Sequence, residues 1–237
     1  MLLRELKKGV KELFAKLKSF IDEVFGFGEK VGDHALTPAE KRWKDKHRKI
    51  QKKLERKKDP AKTKRIKQHE DFVEKWSGKS IRTLTKIEIA NSLKGFTEQG
   101  NKIAKLIEDG EMLFEILNES TFKMAYLESG GKLSNYKKYR IEAFSYGDIN
   151  YFREDKSIES FMSELIHEGT HTLDYLEEQR LFELGKSEAE IDKILGDIYS
   201  FEKRAYFHER AFQIATEMDV EYKTIESMLE HIFYTYP

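Results

Sequence analysis

The chain has 237 residues, 39% hydrophobic and 36% charged, with no cysteine and a formal net charge of zero. Its sixteen Phe and eleven Tyr exclude wholesale disorder and suffice for one substantial core, or a core with a smaller appendage. Without cysteine there can be no disulfide and no thiolate metal ligand, and no apolar run approaches the roughly 20 residues that span a bilayer.

The zero net charge conceals an asymmetry. Between Lys41 and Lys67 stand fifteen Lys or Arg and three acids, whereas from Ile158 onward acids outnumber bases by more than two to one. Such a contrast suggests two regions with different jobs, or a basic arm attracted to an acidic body. Composition places the boundary near residue 80: 1–80 as a charge-rich helical region, 81–237 as the main domain.

In chain order, Leu3, Leu6, Val10, Leu13, Leu17, Ile21 and Val24 recur at helical spacing, so an amphipathic helix is expected over about 2–25. Arg4, Glu5, Lys7 and Lys8 follow the first three residues at once, so no signal-peptide core is expected there. Gly26, Gly28 and Gly32 mark a loop, and Thr37-Pro38-Ala39-Glu40 reads as a helix start with a capping box. The nearly all-charged segment that follows is expected to be a solvated helix. It is broken at Asp59-Pro60, and a further helix runs to Trp76. Ile87, Ile89, Leu93, Ile103, Leu106 and Ile107 predict helical segments separated near Gly95 and Gly100. Thr121 to Leu127 alternates in strand fashion, and 140–144 and 148–152 are two more β-like runs around Ser145-Tyr146-Gly147. Beyond them the pattern is helical almost to the end. The expected fold is therefore α+β and predominantly helical, with a small sheet.

The chemistry lies in the sequence from Phe161 to Arg180. Phe161, Met162, Leu165, Ile166, Leu173 and Leu176 fall on one helical face. His167 and His171 are four apart, so their imidazoles share a face and can take adjacent corners of a zinc tetrahedron. Glu168 follows the first His and can reach a water at the metal without ligating it, as a general base requires. This is an HExxH motif, and it predicts a Zn2+ site. Catalytic zinc needs a third protein ligand. Glu202 and Glu209 interrupt an apolar stripe made by Ile191, Leu195, Ile198, Ala205 and Phe212, and a buried carboxylate there needs a cation or donor. Glu202 is expected to ligate and Glu209 to orient a histidine, with the reverse assignment open. Asp174, one turn past His171, is a candidate to accept an imidazole N–H or to replace a ligand. His208, Tyr206 and Tyr199 are candidates to stabilise a transition state.

These residues resemble the zincin metallopeptidases. The run from Ile141 to Asp174 carries the likeness, and Glu202-Lys203-Arg204-Ala205 resembles the Glu-x-x-Ala element of the gluzincin branch. The resemblance implies a zincin-like core with an active-site helix preceded by N-terminal helices, and a peptide or protein substrate. It also implies a substrate-binding edge strand at Asp148, Ile149, Asn150, Tyr151 and Phe152, where an extended peptide adds to the sheet. The words HEGTH and Leu-Asp are similar to peptidase-like domains of bacterial polymorphic toxins. That likeness implies an effector secreted into a target cell and neutralised by an immunity protein.

Two other readings compete. The chain can be a catalytically inactive zinc-binding interaction module. Alternatively, the basic arm can bind nucleic acid, although no base-stacking surface accompanies it and no nucleic-acid partner is expected. The lysines opposite the apolar face of the first helix also allow docking or peripheral membrane contact.

Overall fold

The computed structural model describes residues 59–139 and 141–235. The expected helices over 2–25 and after Thr37, and most of the basic arm, lie outside the described residues.

The first described helix, α1 (Pro60–Trp76), begins where Asp59 accepts a hydrogen bond from the Lys62 amide and proline occupies the first turn. Residues from Asp59 onward form one compact unit, which includes α1 together with the residues beyond 80. The reason is apolar burial: Trp76 joins the main core, and Phe72 and Val73 pack against it. A short 3-10 turn (Ile81–Thr83) leads to α2 (Lys86–Leu93), which opens on a Thr85/Glu88 capping box, and to α3 (Glu98–Asp109). The break between them falls at Gly95, in a left-handed conformation, while Gly100 lies inside α3.

Three strands follow: β1 (Leu113–Leu117), β2 (Ala143–Tyr146) and β3 (Ile149–Arg153), in the order β1-β3-β2. β2 and β3 form an antiparallel hairpin through Gly147, whose positive φ suits the tight turn, and β1 pairs parallel to β3. Two expectations are corrected here. The segment 121–127 is not a strand. It lies within α4 (Glu119–Glu128), where Asn118 caps the amide of Thr121 and Phe122 and Tyr126, four apart, both pack on Phe144. A short apolar run fits either period, and the cap decides for the helix. Second, β3 is the central strand and Asp148 is in the turn. Residues 149–152 therefore have neighbours on both sides and offer no free edge to a substrate, because β1, unforeseen in the sequence, takes that place.

After the short α5 (Leu133–Tyr139), the chain returns through the hairpin to α6 (Ile158–Glu183), the long helix that carries the HExxH sequence. Then come α7 (Glu188–Leu195), α8 (Ile198–Thr216) and α9 (Ile225–Thr235). The architecture is a predominantly helical α+β fold with a three-stranded mixed sheet. The expected stripe from Ile191 to Phe212 is split: Gly196 ends α7 and Asp197 caps α8, which resets the helical phase and leaves Ile198 55% exposed. The core gathers α2, α3 and the first half of α6 around Leu93, Ile103, Phe161, Leu165 and Ile166, with Phe152 from β3 and Phe212 from α8. Among the described residues, no helix is long and apolar enough to cross a membrane.

Candidate metal centre

α6 and α8 run antiparallel in extensive contact, so residues ascending α6 meet residues descending α8. Ser163 meets Glu209, His167 meets Glu209 and Glu202, His171 meets Glu202, and Asp174 meets Arg204. Spacing explains this. His167 and His171 are one turn apart, and Glu202 and Glu209 two turns apart, so each pair presents to one side of its helix. Gly169 lets α3 approach α6, since a Cβ there would lie 2.8 Å from Ile103.

One donor atom from each of His167, His171 and Glu202 falls within a single cluster that can hold a metal ion. The two Nε2 atoms are 3.3 Å apart; Glu202 Oε2 lies 3.4 Å from His167 Nε2, and the other oxygen, Oε1, lies 3.6 Å from His171 Nε2. A tetrahedron with bonds of about 2.0–2.1 Å has edges of about 3.3–3.4 Å. The two Nε2 atoms match that edge, and one donor atom from each of the three residues lies within 4.8 Å of the others. Two nitrogens and one carboxylate oxygen also form a donor set that zinc accepts.

Glu209 does not enter this triad. Its Oε2 lies 3.1 Å from His167 Nδ1, and a carboxylate only accepts, so the imidazole donates there and keeps Nε2 for the cluster. Glu209 is itself held by Ser163 (2.8 Å) and Gln213 (3.3 Å). Burial works against charge on His167, but its hydrogen bonds to Glu202 and Glu209 hold its pKa well above the ordinary histidine value. His171 is pushed down to about 4, by burial and by the charge on His167.

Glu168, next to His167, lines the same cleft as that histidine and also reaches the sheet. Its carboxyl is buried, which raises its pKa, and the Ser145 hydroxyl donates a hydrogen bond to it. Strand alternation puts Ser145 and Asn150, cross-strand partners, on the face toward α6. The Asn150 amide is anchored to the Leu113 carbonyl and to Thr172, each at 3.0 Å. The two residues thus tie the Glu168 carboxylate to all three strands.

Comparison with known proteins finds no match: no family description, no curated relative and no solved structure. The site must be read from its own geometry.

A cleft of about 630 Å³ opens beside His167 and Glu168, between β2, α6, α8 and α9. Tyr206 lines it, with its ring 4.5 Å from that of His167 and its hydroxyl 3.3 Å from His231 Nε2. Tyr222 and His231 complete this aromatic wall. Sequence reading misses both, as it misses Ser145, Ser163 and Gln213, because they belong to no periodic or motif signal near the histidines. The other candidates stand elsewhere. Tyr199 and His208 do not line the cleft. Asp174 binds Arg204 Nε at 3.1 Å, so its carboxylate serves an ion pair between α6 and α8 rather than an imidazole. The cause is directional: Asp174 lies past His171 toward α7, where Arg204 also reaches the Leu195 carbonyl (2.6 Å).

Proposed function

We propose that this protein is a zinc-dependent peptidase, with His167, His171 and Glu202 as ligands and Glu168 as general base. The observation that carries the reading is the convergence of one donor atom from each of His167, His171 and Glu202 within 4.8 Å of one another, the two Nε2 atoms 3.3 Å apart, with a buried carboxylate adjacent in sequence to the first histidine. A zinc ion in this donor set lowers the pKa of a water and polarises a carbonyl. Glu168 accepts the proton of the attacking water and returns it to the departing amine nitrogen. Ser145 steadies that carboxylate between the two roles. Tyr206 and His231 supply hydrogen-bond donors for charge that develops on the carbonyl oxygen. Glu209 keeps His167 in the ligating tautomer.

The edge that can receive an extended peptide is β2. It pairs with β3 on one side, and Ala143 lines the cleft.

The test joins metal analysis to cleavage of an unfolded protein such as casein. We expect one zinc per chain in the purified protein. Glu168→Gln should keep the zinc and lose hydrolysis by about 10²–10⁴-fold. Full activity in that variant, or a protein that holds no zinc when supplied with it, would overturn the assignment.

A further inference from the structure

Gln213 lines the cleft, is only 5% exposed, and takes no step in the chemistry above. A buried amide is destabilising unless its hydrogen bonds are made, and here both its donor and its acceptor are used. Nε2 donates to Ser163 Oγ (2.8 Å) and to Glu209 Oε1 (3.3 Å), while Oε1 accepts from the backbone amide of Glu221 (3.3 Å). The orientation of the group follows from its neighbours. A carboxylate only accepts and a backbone N–H only donates, so the NH2 must face Glu209 and the oxygen must face residue 221. Glutamate in its place would set a second carboxylate against Glu209, and methionine, of similar length, makes neither bond.

These bonds join a loop to the metal cluster. Glu209 and Gln213 stand one turn apart on α8, and Ser163 of α6 donates to the same Glu209 oxygen (2.8 Å). Two donors therefore hold Oε1 and leave Oε2 turned to His167 Nδ1, 3.1 Å away, while His167 Nε2 faces His171 and Glu202. On the other side of Gln213, residues 217–224 form a strap between α8 and α9. It leaves α8 at Glu217, in a left-handed conformation, and Arg210 donates to its carbonyls at Tyr222 (3.2 Å) and Lys223 (3.3 Å). The strap carries Tyr222, whose ring centroid lies 5.6 Å from that of Tyr206 and 5.1 Å from that of His231. Gln213 thus touches both the carboxylate that orients a metal ligand and the backbone that carries the aromatic wall.

We propose that Gln213 is a positioning residue that couples the two: it holds Glu209 against His167 and seats the strap, so that metal on the triad and the strap on α8 stabilise each other. When the triad is occupied, the Nδ1–H of His167 becomes a stronger donor. That tightens its bond to Glu209 and, through Oε1, orders the amide behind it. By linkage, whatever the seated strap adds to metal affinity, the metal adds to the seating of the strap. The inference rests on the metal reading of the triad and not on the peptidase reading.

The probe is zinc alone, and the protein is the full chain. Zinc affinity is measured against a competing chelator, and exchange of the Glu221 amide is followed by hydrogen–deuterium exchange NMR with and without saturating zinc. Gln213→Met should weaken zinc about three- to tenfold, less than the loss of Glu209 itself. In a Glu209→Ala background the same change should have no further effect, because Gln213 acts through Glu209, whereas a merely structural Gln213 would weaken both backgrounds alike. In the wild-type protein zinc should slow exchange of the Glu221 amide about fivefold or more, and in Glu209→Ala it should leave that amide unchanged. This comparison needs no change at position 213, so it stands even if Gln213→Met does not fold. Equal zinc affinity in wild type and Gln213→Met, an equal loss in both backgrounds, or a Glu221 amide indifferent to zinc overturns the inference and leaves the metal site intact. A zinc response that survives in Glu209→Ala overturns the route through Glu209. Wild-type protein that binds no zinc overturns the metal reading and the inference with it, and zinc-coupled exchange in a protein that cleaves no casein would sink the peptidase alone.

Discussion

At the scale of single residues, the two glutamates of α8 have separable tasks. Glu202 faces both Nε2 atoms, and Glu209 faces the Nδ1 of His167 only. Glu202→Ala should abolish tight zinc binding, because two ligands are too few, whereas Glu209→Ala should weaken it by about 10–100-fold. Zinc titration against a competing chelator measures both. Equal losses would mean that the two carboxylates share the metal. A second residue governs acid stability. His69 is buried on α1, neither ring nitrogen has a hydrogen-bond partner among the described residues, and burial holds its pKa below 6.5. In the unfolded chain the ring regains its ordinary pKa. As pH falls through about 6.5, the unfolded state therefore takes up the proton first and stability drops, by up to about 1.4 kcal/mol per unit until the folded value is reached. His69→Phe keeps a ring against Phe96 without the titration. Denaturant midpoints at about pH 7.5 and 5.5 should differ less in that variant than in wild type. An equal difference would assign the acid sensitivity to other groups.

At the scale of elements, close approach matters more than helix propensity. Gly169 sits within the HExxH segment, and alanine there would gain about 1 kcal/mol of propensity on an isolated helix. Its Cβ, however, would fall 2.8–2.9 Å from three atoms of Ile103 on α3. Overpacking of this kind costs about 1–3 kcal/mol, so Gly169→Ala should lower the melting temperature despite the better helix former. A higher melting temperature would show that α3 and α6 can separate freely. Elements also show where patterns mislead. The alternation of 121–127 describes a helix equally well, since Phe122 and Tyr126 are four apart, and only Phe144 beneath them shows which period is used. The edge strand was misplaced for a related reason. β1 is a five-residue run, LFEIL, with no alternation to announce it, and its pairing turned β3 from an edge into the centre.

At the scale of the whole molecule, α1 belongs to the same compact unit as the residues that follow it. α1 buries Ile66 and Trp76, with Phe72 and Val73 against the same core. A chain beginning at Asp59 should melt cooperatively and keep its metal. One beginning at Ile81 should lose at least about 3 kcal/mol, the scale of removing one large buried side chain. Chemical denaturation of the two chains checks this, and equal stabilities would return α1 to the appendage.

By itself the sequence determined the local features: the helix at 158–183, the two histidines one turn apart with a glutamate beside the first, and the two acids two turns apart on a later helix. Helical geometry makes these relations follow from spacing alone. It also showed that both acids needed partners, since they interrupt apolar positions. Tertiary structure decided which groups meet across chain breaks. The antiparallel packing of α6 on α8 set Glu202 against the two Nε2 atoms and Glu209 against Nδ1, and gave Asp174 to Arg204. The hairpin carried Ser145 to Glu168, and the strap and α9 brought Tyr222 and His231 to the cleft. Such contacts depend on crossing geometry and on which strands pair, and neither leaves a period in a single chain for spacing to reveal.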